Sequence, residues 1–261
     1  MIRTKKSLGQ HFLTSQGALA TIIQASNLSP DEIVLEIGPG RGILTVELLK
    51  HAAKVISVEK DRELIPYLTE KFSDEMKTEK FVLKEQDILN FNPEIIRSHG
   101  KTYKMVANIP YNITGEIIRK FLTADYKPQS MTLLVQKEVA ERIVAKDGKE
   151  SVLSLSVKYF GTPTYIQTVK RGSFNPPPKV DSAILYIADI QENTQVNEEK
   201  FFTAVKAGFK SKRKKLISNV SNLYPKEKLT ECFRELSLDE NVRAEDLTLT
   251  QWIELLRLLK D

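Results

Sequence analysis

Five short apolar runs recur between residues 32 and 136: "EIVLEI" (32–37), "KVISVE" (54–59), "KFVLKE" (80–85), "YKMVAN" (103–108) and "MTLLVQ" (131–136). Their length and β-branched content predict strands. Between them, "RGILTVELLKHA" (41–52), "DRELIPYLTEKF" (61–72) and "GEIIRKFLTA" (115–124) space apolar residues three and four apart, which predicts helices. A further amphipathic helix precedes the series in "SQGALATIIQASN" (15–27), with Ser15 or Thr14 as N-cap. Strand–helix alternation of this kind predicts an α/β fold built on a doubly wound, mostly parallel, Rossmann-like sheet.

Beyond residue 160 the pattern changes. "TYIQTVK" (164–170) and "VDSAILYIAD" (180–189) read as two strands joined by the Pro-rich loop "RGSFNPPPK", and they close the sheet with an antiparallel edge. The polar stretch "DIQENTQVNEE" (189–199) reads as a linker. The Leu-, Lys- and Glu-rich remainder gives short helical patterns. The expected organisation is a domain over 1–190, with 1–27 as its N-terminal segment, and a small all-helical domain over 197–261.

Composition narrows the classes. At 261 residues and 41% hydrophobic the chain can bury a real core. Its one cysteine, Cys232, rules out an intrachain disulfide and fits a reducing compartment. "MIRTKKSLGQHFL" lacks the apolar core of a signal peptide, and no run approaches a membrane span, so the expected location is the cytoplasm. A net charge of +5 points to a polyanionic partner. The charge concentrates in "KAGFKSKRKK" (206–215), where Lys206, Lys210, Lys212, Arg213, Lys214 and Lys215 suit phosphate contacts, with Phe209 and Leu216 as anchors to the core. Arg3, Lys5, Lys6, Lys170, Arg171 and Lys179 extend that surface if they share its face.

The chemistry sits at the strand ends. "VLEIGPGRGILT" sets Gly38, Gly40 and Gly42 between a strand and a helix, where backbone approaches a ligand closely. The G-x-G-x-G spacing differs from the dinucleotide pattern. Glu59, ending the next strand, has the spacing of an acid that accepts from ribose hydroxyls. Asp87, after the third strand, can accept from an adenine amine. Three such features at successive carboxyl ends favour an adenosine-containing cofactor.

"NIPY" (108–111) resembles the tetrapeptide of N6-adenine methyltransferases that use S-adenosylmethionine. An exocyclic adenine amine is a poor nucleophile because its lone pair is delocalised into the ring. The Asn108 side-chain oxygen and a backbone carbonyl near Ile109–Pro110 can accept both amine hydrogens and aim the lone pair. Tyr111 can stack on a flipped-out base, and Pro110 stiffens the turn.

The whole chain resembles the KsgA-type small-subunit ribosomal RNA adenine N6-dimethyltransferases, and more distantly the Erm-type large-subunit methylases. "KKSLGQHFL" (5–13), "EIGPGRGILT" (36–45), "VEKD" (58–61), "QD" (86–87), "NIPYNIT" (108–114), "VQKEVAERI" (135–143) and "FNPPPKVDSA" (174–183) carry the resemblance. It implies a class I methyltransferase domain with S-adenosylmethionine contacts at His11, Leu13, Gly38, Glu59, Asp87 and Asn108, with Gly40 in the same loop. His11 and Leu13 lie in a segment implied to cover the cofactor, and His11 stands where Asn is common in the family. Phe174 matches an aromatic implied to pack on the target base opposite Tyr111. "GKESVLSLSV" (148–157) lacks the Tyr-Gly pair of many relatives, which matters more for packing than for chemistry. The implied reaction places two methyls on each of two adjacent adenosines near the 3′ end of small-subunit rRNA, within immature subunits, by a monomer. "FKSKRKKLISN" resembles the KsgA-type C-terminal domain and tilts the choice away from Erm-type enzymes. A ribosome-assembly factor with secondary catalysis is the other alternative. The intact Asn108, Pro110, Tyr111, Glu59 and Asp87 argue against pure binding.

Other chemistries find no support. Histidines 11, 51 and 99 are scattered and the cysteine is single, so no metal site is expected. "GKT" (100–102) lacks the earlier glycine of a P-loop, and no G-x-S-x-G is present.

Overall fold

The computed structural model describes residues 10–259. The chain runs β1 (Phe12–Leu13), α1 (Gln16–Ser26), β2 (Ile33–Ile37), α2 (Ile43–His51), β3 (Lys54–Glu59), α3 (Leu64–Lys71), α4 (Ser73–Lys77), β4 (Phe81–Glu85), β5 (Lys104–Asn108), α5 (Thr114–Leu122) and β6 (Met131–Gln136). There follow α6 (Lys137–Val144), α7 (Val152–Phe160), β7 (Thr162–Val169), β8 (Phe174–Asn175) and β9 (Ser182–Ala188). The chain ends in α8 (Glu198–Gly208), α9 (Leu216–Val220), α10 (Lys226–Glu235) and α11 (Leu249–Leu258).

Seven strands form one sheet in the order β4-β3-β2-β5-β6-β9-β7. The first five are parallel, and β9 inserts antiparallel between β6 and β7. Every residue of β2 is buried, as befits a central parallel strand covered on both faces. β3 and β5 flank β2 on opposite sides, so successive connections diverge there. That switch point opens a crevice at the carboxyl ends of the strands.

Local chemistry fixes the frame. Ser15 caps α1 by accepting from the Ala18 N–H, and Asn27 ends it in the left-handed region (φ 44°). Leu48 on α2 and Leu68 on α3 pack with Val34, Val55, Phe72 and Phe81 into one buried cluster. The two-residue strand β1 pairs antiparallel with β8, in the register Phe12↔Asn175 and Leu13↔Phe174, and this small second sheet ties the N-terminal segment to the Pro-rich loop.

The chain divides into two compact units. One runs to Ala140 and takes in Thr162–Ile190; the other holds Glu141–Gly161 and everything from Gln191. Residues 141–161, which the sequence division assigns to the first domain, thus group with the C-terminal helices. The physical reason is aromatic: Tyr159 of α7 stacks on Phe201 at 4.4 Å, and its hydroxyl donates to the Val196 carbonyl at 2.6 Å. The polar stretch before α8 is therefore bonded to α7, with the Gln191 N–H also donating to the Phe160 carbonyl at 3.0 Å. No helix among the described residues is long and apolar enough to cross a membrane.

Candidate active site

A cavity of about 230 Å³ lies over the carboxyl ends of β2, β3 and β5. His11, Leu13, Gly38, Gly40, Glu59, Asp87, Asn108, Ile109, Pro110 and Tyr111 all line it. Ten of the residues singled out from sequence are therefore brought to one place.

The glycine turn joins β2 to α2. The Gly40 N–H donates to Glu59 Oε2 at 3.3 Å, and the Asp61 N–H donates to Oε1 at 2.8 Å. Glu59 is 6% exposed; burial pushes its carboxyl above the ordinary carboxylate range, against the pull of these N–H groups. Gly40 has φ +57°, and a Cβ there would lie 2.9 Å from the Phe12 ring. The turn and β1 are thus fitted to each other. Asp87, just past β4, accepts from Lys60 Nζ at 2.7 Å and from the Leu89 N–H at 3.0 Å, and both hold its carboxyl below the usual range.

The N-terminal strap, Gln10–Leu13, closes one side. Gln10 Nε2 donates to Asp61 Oδ2 at 2.7 Å. His11 Nδ1 lies 2.8 Å from the Pro176 carbonyl; a carbonyl only accepts, so Nδ1 carries the proton. The His11 ring stacks on Tyr111 with centroids 5.8 Å apart and 23° between planes. Asn108 Nδ2 donates to the His11 carbonyl at 3.0 Å, which engages the donor end of the amide and leaves Oδ1 as its remaining polar atom. The Pro110 carbonyl accepts from the Ile113 N–H at 3.3 Å. Tyr111 is anchored through its hydroxyl, 2.5 Å from Ser182 Oγ on β9, and burial raises its phenol pKa.

Phe174 lies outside the cavity wall that holds Tyr111. It is 3% exposed. On β8 it stands opposite Leu13, and both side chains belong to the buried cluster. Glu36 is the residue that sequence reasoning passed over. It lies mid-strand in β2, 1% exposed, and its Oε2 accepts from Thr45 Oγ1 at 2.7 Å and Ser57 Oγ at 2.6 Å. Its Oε1 is buried without a protein partner. Burial, only partly offset by the two hydroxyls, raises its pKa to about 7. An acid flanked by Leu35 and Ile37 in an otherwise apolar strand was the available signal.

The basic run occupies the turn between α8 and α9 rather than a helix face. Lys210, Lys212, Arg213, Lys214 and Lys215 are all exposed, and Leu216 is fully buried as the expected anchor. Lys170 pairs with Asp181 at 3.0 Å. Arg3, Lys5 and Lys6, with the start of the 1–27 segment, lie outside the described residues. No group of three or more metal-ligating side chains occurs among the described residues.

The donor set fits S-adenosylmethionine: buried acids with spare lone pairs suit a ribose diol, an amine and a cation, and the orphan Glu36 oxygen needs a donor. Comparison with known proteins agrees. The sequence model of the ribosomal RNA adenine dimethylase family matches residues 1–261. A Dehalococcoides mccartyi protein named ribosomal RNA small subunit methyltransferase A is 43% identical over 258 residues, covering 97% of this chain and 88% of its own. A Nostoc protein of the same name is 39% identical, with 99% of each chain covered. Among solved structures, a Plasmodium falciparum dimethyladenosine transferase aligns with a TM-score of 0.81 at 29% identity, covering 95% of this chain and 96% of its own. The 23S rRNA methyltransferase ErmE aligns at 0.80 and 27% identity, with 95% and 99% covered. The fold is that of a class I S-adenosylmethionine-dependent methyltransferase, and the chain belongs to the ribosomal RNA adenine dimethylase family.

Proposed function

We propose that this chain dimethylates N6 of two adjacent adenosines near the 3′ end of small-subunit rRNA, in immature subunits in the cytoplasm and as a monomer. The observation that carries the chemistry is the Asn108 amide, tethered through Nδ2 to the His11 carbonyl in the wall of the cavity.

S-adenosylmethionine, when bound, supplies an electrophilic methyl on a sulfonium. Glu59 and Asp87 hold its adenosine half, the Gly38–Gly40 turn gives it a close backbone approach, and His11 and Leu13 cover it. Asn108 Oδ1 accepts one hydrogen of the target amine. The Pro110 carbonyl receives both the Ile113 N–H and the Thr114 hydroxyl at 3.3 Å, which uses its two lone pairs and leaves the Ile109 carbonyl to take the second. Held this way the nitrogen keeps its lone pair out of the ring and directed at the methyl, and the acceptors gain strength as positive charge develops. No side-chain base is needed, because the proton leaves to water once the new bond has made it acidic. Tyr111, fixed by Ser182, offers its ring face to the flipped base. The exposed cations of the α8–α9 turn supply phosphate contacts.

The likeness to ErmE is one of fold, so the choice of small subunit is supported by the relatives' name and the basic run rather than by architecture. The test uses small subunits lacking adenine dimethylation, large subunits and protein-free rRNA, each incubated with labelled S-adenosylmethionine. Dimethyladenosine in the small-subunit reaction alone is expected. Label in the large subunit instead moves the protein to the Erm-type reading.

A further inference from the structure

The basic run is pinned at its base while its charges stay unpaired. Residues 201–226 contain no Asp or Glu, and none of Lys206, Lys210 and Lys212–Lys215 is in an ion pair among the described residues. Asn219 of α9 is 9% exposed and donates both amide hydrogens, to the Gly208 carbonyl at 2.6 Å and the Ser211 carbonyl at 3.0 Å. The Gly208 carbonyl ends α8 and has no intrahelical donor, while the Ser211 carbonyl, three residues on, also accepts from the Lys214 N–H at 2.9 Å, so the Asn219 amide ties the helix end to the turn that follows it. Two further interactions hold the turn. Phe209 stacks on Trp252, and the Leu216 N–H donates to the Val242 carbonyl at 2.8 Å. Gly208 leaves no room to shift, since a Cβ there would lie 2.6 Å from the Trp252 ring.

We propose that Asn219 is a positioning residue for RNA binding: its amide sets the Gly208–Ser211 turn so that Lys212, Arg213, Lys214 and Lys215 meet RNA phosphates as a pre-formed array. This rests on the reading of that run as the RNA contact. A loose turn carrying four long cationic side chains has to be ordered at the moment of binding, and a turn fixed beforehand spares that cost. Asn219 itself touches no RNA, so its loss changes the cost of ordering and not the number of phosphates neutralised.

The two effects separate in a salt series. Full-length chain is titrated with an unmodified 3′-terminal fragment of small-subunit rRNA at several KCl concentrations. Asn219→Ala binds roughly tenfold more weakly with the salt slope of the parent, because the same cations still displace the same counterions. Replacing Lys212, Arg213, Lys214 and Lys215 with Ala makes the slope shallower, by about 0.7 for each phosphate that is no longer neutralised. In that background Asn219→Ala has no further effect. An unchanged slope in the fourfold variant overturns the RNA reading of the run, and this inference with it. A shallower slope there, combined with parental affinity in Asn219→Ala, overturns the inference alone. So does an equal tenfold loss in both backgrounds, which marks Asn219 as merely structural. If Asn219→Ala does not fold, Ser211→Gly loosens the same turn without removing a charge. A loss of about two- to threefold at constant slope supports the inference, and parental affinity overturns it.

Discussion

At the level of single residues, two side chains in the cavity illustrate different limits of sequence reasoning. Asn108 was legible because its motif surrounds it; its orientation was not, since that depends on a carbonyl 97 positions away in the chain. Asn108→Ala is expected to lower methyl transfer by at least ~100-fold, the usual cost of one pre-set polar group at a reacting centre. RNA binding should persist, as single-turnover labelling beside a gel-shift titration will read. Glu36 was not legible as special because a lone acid in a strand has no motif of its own. Its folded pKa of about 7 exceeds the ordinary 4.5, so the folded chain keeps a proton that the unfolded chain releases. The stability this gives is complete below pH 4.5 and is lost as pH rises through about 7. Glu36→Gln keeps an acceptor for Thr45 and Ser57 and removes the titration. Its stability relative to the parent should therefore climb between pH 5 and 8, by up to roughly 3 kcal/mol, as chemical denaturation midpoints across that range will read.

Among the elements, each of the seven strands of the main sheet lies where its apolar run predicted, with ends displaced by two residues or fewer. Apolar content and turn chemistry agree there, so local pattern suffices. It does not suffice for α7: "SVLSLSV" alternates like a strand, yet Ser151 and Ser154 form a reciprocal capping box that starts a helix. Nor does pattern reveal β1 and β8, two residues each, whose partners Leu13 and Phe174 stand 161 positions apart. The strap and the glycine turn behave as one device, which Gly40→Ala and Gly42→Ala will separate. Both glycines have positive φ, and either substitution should lose about 1–2 kcal/mol from backbone strain alone. At Gly42 a new Cβ presses on Phe72 of the core at 2.6 Å, so the thermal midpoint falls while cofactor affinity in the folded fraction holds. At Gly40 it presses on Phe12, so the strap lifts and cofactor affinity, followed by calorimetric titration, falls as well.

Across the whole molecule, the two units are interleaved along the chain, with 141–161 serving the helical unit from inside the span of the other. A chain truncated after Ile190 keeps Leu155, Tyr159 and Phe160 but loses Phe201, Phe202 and Trp252 of their unit. It should bind a hydrophobic dye and aggregate, whereas one in which a short polar linker also replaces 141–161 should stay dispersed. The interleaving also shapes how the protein is born. A chain leaving the ribosome in order delivers five parallel strands, then α6 and α7, whose partners are not yet made. Only afterwards come β7 and β9, and β9 must insert between β6 and β7 to finish the sheet. Neither unit can complete its core until late in synthesis, so its apolar faces wait, exposed, for sequence still being translated. A member of an rRNA-modifying family thus depends heavily on a ribosome during its own assembly, and slowed translation past residue 190 should lengthen its need for a chaperone.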